Sequence, residues 1–302
     1  MAEKEVKDID SLIDQGLNAE NNELDLREKE LDDEDLIKVL ESDKVKGVTA
    51  LFLEFNDIGD EGLKVLVESD KMKFLTALNL FKNKVTDEGL KALAKSKNML
   101  NLSELILSDN EISHEGAKMV ASSNILGGLV SLWLGDKIGD EGVKALATSE
   151  TLTRLTQLSL YRNNIGNEGA LAIAQSKNLS NLTELNLNWN YIDGEGVEAL
   201  AGSETLNNLK QLTLTFNPVG LRGAEAIAGS ENFRNLTLID LYETDLGNMG
   251  ARALAEATKL PNLEKLVLIH NDVGEGGQAL FKDNKNFPKI KDVYFFTAKA
   301  EV

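Results

Sequence analysis

Cysteine is absent from the 302 residues, proline occurs three times and histidine twice. Without cysteine there is no disulfide framework and no thiolate for a metal or a redox couple, so the chain is expected in a reducing compartment, the cytoplasm of some cell. His270 has no cysteine and no second histidine to complete a zinc site with it; no metal and no cofactor are expected. No apolar run approaches the roughly 18 residues of a membrane helix. The opening residues, Met1-Ala2-Glu3-Lys4-Glu5-Val6, hold no apolar signal core. The expectation is a protein that stays in the cytoplasm or reaches a host cell without a Sec signal. Basic charge is also scarce: 32 Lys and Arg against 50 Asp and Glu leave a formal net charge of −18. That argues against nucleic acid, whose phosphates call for clustered Lys and Arg, and against anionic membranes. Residues 1–40 carry 14 acidic and 5 basic side chains, which reads first as a solvated cap and second as a docking surface for a basic partner.

What the sequence has in abundance is itself. Leu51-Phe52-Leu53-Glu54-Phe55-Asn56-Asp57-Ile58 returns 27 residues later as Leu78-Asn79-Leu80-Phe81-Lys82-Asn83-Lys84-Val85, and again at Leu105. The phrase recurs at Leu158, Leu185, Leu212, Ile239 and Leu266, with looser versions at Leu24, Leu132 and Val293, making eleven strand phrases. A fixed period of this length is the mark of a solenoid. Alternating Leu-x-Leu puts two apolar side chains on one face of a short strand. The Asn that follows (Asn56, Asn83, Asn110, Asn163, Asn190, Asn217, Asn271) both donates and accepts, so it can satisfy buried backbone groups where the chain turns inward. A helix comes next. In Gly59-Asp60-Glu61-Gly62-Leu63-Lys64-Val65-Leu66-Val67, acidic residues sit at the start and Leu63, Leu66 and Val67 share one face. A glycine recurs at its first turn in nine units, from Gly62 to Gly277. Glycine costs up to about 1 kcal/mol inside a helix, so the column implies close packing against a neighbour.

The phrase L-x-x-L-x-L-x-x-N-x-I-G-x-E-G-x-x-A-L-A-x-S, met nearly in full from Leu155 to Gly169, resembles the ribonuclease-inhibitor type of leucine-rich repeat over roughly residues 20–298. Its helix wording is also similar to repeats in bacterial proteins, including effectors delivered into host cells. The resemblance implies an α/β fold: a right-handed horseshoe of about eleven repeats, with parallel strands on the concave face and helices on the convex face. Residues 1–20 are expected to form a helical cap (Val6, Ile9, Leu12, Ile13 and Leu17 fall at helical spacing), 21–286 the array, and 287–302 a closing strand and tail, as one structural domain. Phe281, Phe287, Ile290, Val293 and Phe295 are expected to seal the far end. A monomer is expected, with the last strand's edge the place where self-association could begin. The unit at Leu132 is one residue short and lacks the Asn. It reads as a tolerated loop deletion or as a kink that re-aims Trp133. Thr244, Lys29 and Ala298 stand in other Asn slots.

If the Leu pairs point inward, the residue between them, the one after them and the next form three columns on the concave side. Ten of the 16 aromatic residues fall there, both tryptophans included. Burial does not account for outward-facing aromatics, and exposed aromatic patches mark interfaces. Two clusters are expected: Phe52, Phe55 and Phe81 near the N-terminal end, and Trp133, Tyr161, Trp189, Phe216 and Tyr242 across the centre, with Arg162 and His270 among the polar groups. These ten residues are the candidate partner-binding set. The bland alternative is a row of rings that only stack on one another. No catalytic site is expected: His114 stands at a helix start, His270 on the rim, and no nucleophile and base can be paired. The expected function is a protein-binding module, an effector acting on a host protein or an intracellular scaffold. The alternative is a regulator of a small GTPase or other enzyme, which one family with similar repeats provides; it would use Arg27 or Arg162.

Overall fold

The computed structural model describes residues 7–296; Val6 of the cap helix, and Thr297 and Ala298 of the last repeat, lie outside them. The chain alternates strand and helix from end to end. The strands are β1 Leu17–Asn18, β2 Glu23–Asp25, β3 Ala50–Phe52, β4 Ala77–Asn79, β5 Glu104–Ile106, β6 Ser131–Trp133, β7 Gln157–Ser159, β8 Glu184–Asn186, β9 Gln211–Thr213, β10 Leu238–Asp240, β11 Lys265–Val267 and β12 Asp292–Tyr294. They form one sheet in chain order, parallel except for β1, which closes the first edge by pairing antiparallel with β2. Helix α1, Ile9–Gly16, packs over that edge and buries Ile13. The helices of the repeats are α2 Asp33–Glu41, α3 Asp60–Glu68, α4 Asp87–Leu93, α5 His114–Ser122, α6 Gly139–Ala147, α7 Asn167–Gln175, α8 Gly194–Ala201, α9 Gly220–Gly229, α10 Gly247–Ala255 and α11 Glu275–Ala279. Helices about 10 Å across stacked beside strands about 4.8 Å apart make the array curve with the strands inside. This is the leucine-rich-repeat solenoid that the period implied. The eleven strand phrases account for β2 to β12, and β1 is an addition of the cap.

The core is one continuous column. Leu51, Leu53, Leu78, Leu80, Leu105 and Leu107 of successive strands are at most 1% exposed, and the inward helix residues Leu63, Leu66, Val120 and Ile173 are fully buried against them. Three side-chain ladders run through the turns. In the first, Asn190 Nδ2 donates to the carbonyls of Leu160 (3.0 Å) and Leu187 (2.8 Å), while its Oδ1 accepts from the backbone N–H of Asn163 and Ile165. Each Asn thus stitches its own repeat to the one before. In the second, a helix-start Asp or Asn reaches forward. Asp60 Oδ1 accepts from the N–H of Thr86 (2.8 Å) and Gly89 (3.0 Å), and Asp140 does the same for Gly166 and Gly169. A Cβ on Gly89 would stand 2.5 Å from Asp60 Oδ1, and one on Gly169 would stand 2.6 Å from Asp140 Oδ1. At Gly62, Gly89, Gly116 and Gly169 the glycine therefore makes room for the neighbour's capping carboxylate, at Gly196 and Gly277 for a capping Asn, and at Gly142, Gly223 and Gly250 for apolar side chains packed against the first helical turn. In the third, buried Ser149, Ser176, Ser203 and Ser230 donate to carbonyls at the end of the preceding helix, at 2.5–2.6 Å.

The short repeat does not disturb the sheet. Trp133 stays in register between Ile106 and Ser159. The missing residue is absorbed after the strand, where Gly135 adopts φ +128° and leaves the space that the Asn163 amide fills to reach the Leu134 carbonyl at 2.8 Å. The reading as a loop deletion fits; Trp133 is not re-aimed by a break in strand register. Thr244 replaces the Asn function in part, donating to the Leu241 carbonyl at 2.8 Å while its N–H is held by Asn271. At the far end Phe281 and Phe287 are buried, and Ile290, Val293 and Phe295 pack against them.

Candidate functional site

The concave surface is built by the three columns that alternate with the buried leucines. In the rim column nearly every residue is held at left-handed φ: Glu28, Phe55, Lys82, Asp109, Arg162, Trp189, Phe216, Glu243 and His270 all lie between +50° and +58°. Non-glycine residues pay about 1–2 kcal/mol for that conformation. The turn is held by hydrogen bonds from the next repeat, Trp189 N–H to the Thr215 carbonyl and Phe216 N–H to the Tyr242 carbonyl. Side chains at the rim are thus set on a fixed backbone.

This geometry aligns rings from four consecutive repeats. Trp189 lies 3.9 Å from Phe216, Phe216 5.3 Å from Tyr242, and Tyr242 5.0 Å from His270, centroid to centroid. Trp189 remains 47% exposed. At the N-terminal end Phe55 and Phe81 meet edge to face at 5.3 Å, with Lys82 over Phe55 and Arg27 over Phe52. The expected central cluster divides here. Trp133 is 41% exposed but makes no ring contact among the described residues, and neither does half-buried Tyr161. The ring string stops at Trp189 because the preceding rim slots hold Arg162 and, before it, the deletion. His270, expected as a polar rim group, is the last ring of the string. The columns are not uniformly open either: Glu54, Ser108, Ser159 and Val267 are buried.

Around the deletion lies a cleft of about 550 Å³ lined by Lys82, Asp109, Asn110, Asp136, Lys137, Arg162 and Asn164. Half-buried Asp136 has its carboxyl pushed up to about 7, first by burial and then by the Asp109 charge beside it. Among the described residues Asp136 Oδ1 has no hydrogen-bond partner, and the same holds for Glu54 Oε2, Ser108 Oγ and Ser159 Oγ. Burial also raises the Glu54 carboxyl, although Asn79 donates to its Oε1 at 2.6 Å. A larger hollow of about 900 Å³ lies on the convex side between α6 and α7. Reading by columns passed over Tyr191, 67% exposed directly after ladder Asn190. The signal was available, since that slot elsewhere holds Asp57, Lys84, Glu111, Asn164, Pro218, Asp245 and Asp272, none of them aromatic.

Among the described residues no group of His, Asp and Glu is arranged to hold a metal, and no helix is long and apolar enough to cross a membrane. Six stretches, 48–67, 71–94, 98–121, 151–174, 178–201 and 205–228, match the family model for the leucine-rich repeat. The chain is a leucine-rich-repeat protein. Among solved structures it is similar to an internalin (inlF) from Listeria monocytogenes at 19% identity, covering 93% of this chain and 83% of that one with a TM-score of 0.56. It also matches a plant peptide hormone receptor, RGFR1, solved in complex with RGF2, at 18% identity and a TM-score of 0.46; the match covers 83% of this chain but spans only 36% of the receptor chain. No curated protein matches.

Proposed function

We propose that this solenoid is an interaction module that docks a partner protein on its concave face, with the ring string from Trp189 to His270 as its anchor. The observation that carries the reading is the string itself: four rings from four repeats in contact at 3.9–5.3 Å, with Trp189 still open on one side. Aromatic anchors ringed by polar groups suit a protein interface, and truncating such an anchor costs about 2 kcal/mol or more. Phe52, Phe55 and Phe81 form a second, smaller contact, and Trp133, Tyr161 and Arg162 lie between the two. The repeat wording supports an effector that meets its target inside a host cell, and an intracellular scaffold would use the same face. The test is affinity capture with wild type and with Trp133→Ala plus Trp189→Ala. The double variant should lose the partner while unfolding at nearly the same temperature; undiminished capture would sink the reading.

Regulation of a GTPase is a second reading that one observation favours. Arg162 is exposed at a cleft, as a residue inserted into a partner's active site must be. Arg27 does not compete, because Asp25 holds its guanidinium at 2.9 Å and 2.5 Å. Arg162→Ala should then abolish acceleration of GTP hydrolysis in a small-GTPase panel, and no acceleration by the wild type would exclude the role.

A further inference from the structure

The two aromatic groups differ in one respect. Phe52 and Phe55 are already covered by cations of their own chain, Arg27 at 5.6 Å and Lys82 at 5.0 Å. Among the described residues no Lys or Arg lies over Trp189, Phe216 or Tyr242. The three concave columns from Asn186 to His270 contain no Lys or Arg at all. Asp240 and Glu243 lie in those columns, and Asp245 and Asp272 stand two residues beyond the rim; none of the four takes part in an ion pair among the described residues. Glu243, Asp245 and Asp272 are exposed, and Asp240 is half-buried, accepting from the Tyr242 N–H at 3.1 Å. The exposed ring of Trp189 and the partly exposed rings of Phe216 and Tyr242, beside carboxylates that hold no ion pair among the described residues, are the two halves of a receptor for a cationic side chain, one contributing the ring quadrupole and the other the counter-charge.

Resting on the docking reading above, we infer that the string from Trp189 to His270 receives an extended, basic segment of the partner. Its Arg or Lys side chains would lie on the rings, countered by Asp240, Glu243, Asp245 and Asp272. Three strand spacings of about 4.8 Å give the string a length of about 14 Å, which an extended chain crosses in about four to five residues at ~3.3 Å each. Side chains alternate along such a chain, so the basic residues stand at every second position. The N-terminal rings, whose cations are built in, suit a neutral or acidic contact instead.

The test uses the full chain and a labelled five-residue peptide alternating arginine with glycine, capped at both ends, beside its citrulline analogue of the same shape without charge. Fluorescence anisotropy at about 0.15 M salt, where general attraction to an acidic protein is screened beyond about 8 Å, is expected to show the arginine peptide binding about tenfold or more tightly than citrulline. Asp240→Asn with Glu243→Gln, and separately Trp189→Leu or Tyr242→Leu, should each weaken it several-fold. Removing two convex carboxylates, Glu61→Gln with Glu88→Gln, should leave it unchanged. Two ring variants guard against one that fails to fold. Equal binding of the two peptides overturns the assignment, as does binding that follows net charge and ignores the rings. If the partner captured by the wild type needs Trp189 but is held undiminished by the Asp240 and Glu243 variant, docking at the string stands and the basic occupant falls.

Discussion

Asn190 shows what one side chain is asked to do in this array. It satisfies two carbonyls and two N–H groups of two repeats in a place water does not reach. Asn190→Ala removes the partner of the Leu160 carbonyl and of the Asn163 and Ile165 N–H groups, while the Leu187 carbonyl keeps the Asn217 amide; at about 1–3 kcal/mol for each buried polar group the loss is expected to reach roughly 3 kcal/mol or more in urea unfolding. Gly169 and Gly229 make a contrasting pair. Gly169→Ala drives a methyl against Ile165 and Asp140, whereas a Cβ on Gly229 meets open space. Gly169→Ala is expected to destabilise by about 1–3 kcal/mol despite its better helix propensity, and Gly229→Ala to stabilise by about 0.4–1 kcal/mol. The Asn column was legible in the sequence because the residue type states its own chemistry. The glycine column showed only that something lay close; that at Gly89 and Gly169 this was the capping Asp of the preceding repeat depends on contacts across 26–29 residues, which no single repeat displays.

At the scale of the element, the short repeat is the instructive one. Strand β6 keeps its pairing on both sides, so the sheet tolerates a deletion that the following turn absorbs. The cost falls on Asp136, half-buried beside Asp109 with its carboxyl raised to about 7. A carboxyl whose folded value lies above its unfolded one of 3.8 binds its proton more tightly in the folded state. Its contribution is therefore fully present below about pH 4 and lost as pH rises to about 7. Asp136→Asn should remove that dependence and raise stability at pH 7.5 by about 1 kcal/mol, the group being only half-buried. Thermal melts of wild type and variant from pH 4 to pH 8 measure this; parallel curves would contradict it. That the repeat was short could be counted in the sequence. That Trp133 would hold its place could not, because register belongs to both neighbouring strands. The break in the ring cluster was hidden for a related reason: Trp133 stands in the middle column and Trp189 in the rim column, and columns show alternation, not ring contact.

Across the described residues, each repeat touches its neighbours through the shared sheet and stacked helices, and most also through the ladders, so stability is a sum of nearest-neighbour terms. The net charge of −18 opposes that stacking. Raising salt from about 0.01 M, with a Debye length near 30 Å, to about 0.15 M, near 8 Å, should shift the urea midpoint upward. A midpoint that falls would mean that the surface ion pairs outweigh the repulsion. The fold was readable over nearly the whole length because periodicity states it many times. The proposed docking face rests on one string of rings that no repetition restates, so a direct measurement decides it. A photo-crosslinking residue placed at Trp189 on the concave rim, and in a second protein at exposed Leu171 on α7, tests it. The account predicts that a discrete partner protein is joined at position 189 and none at 171; crosslinks to a partner only from 171, or equally from both, would contradict it.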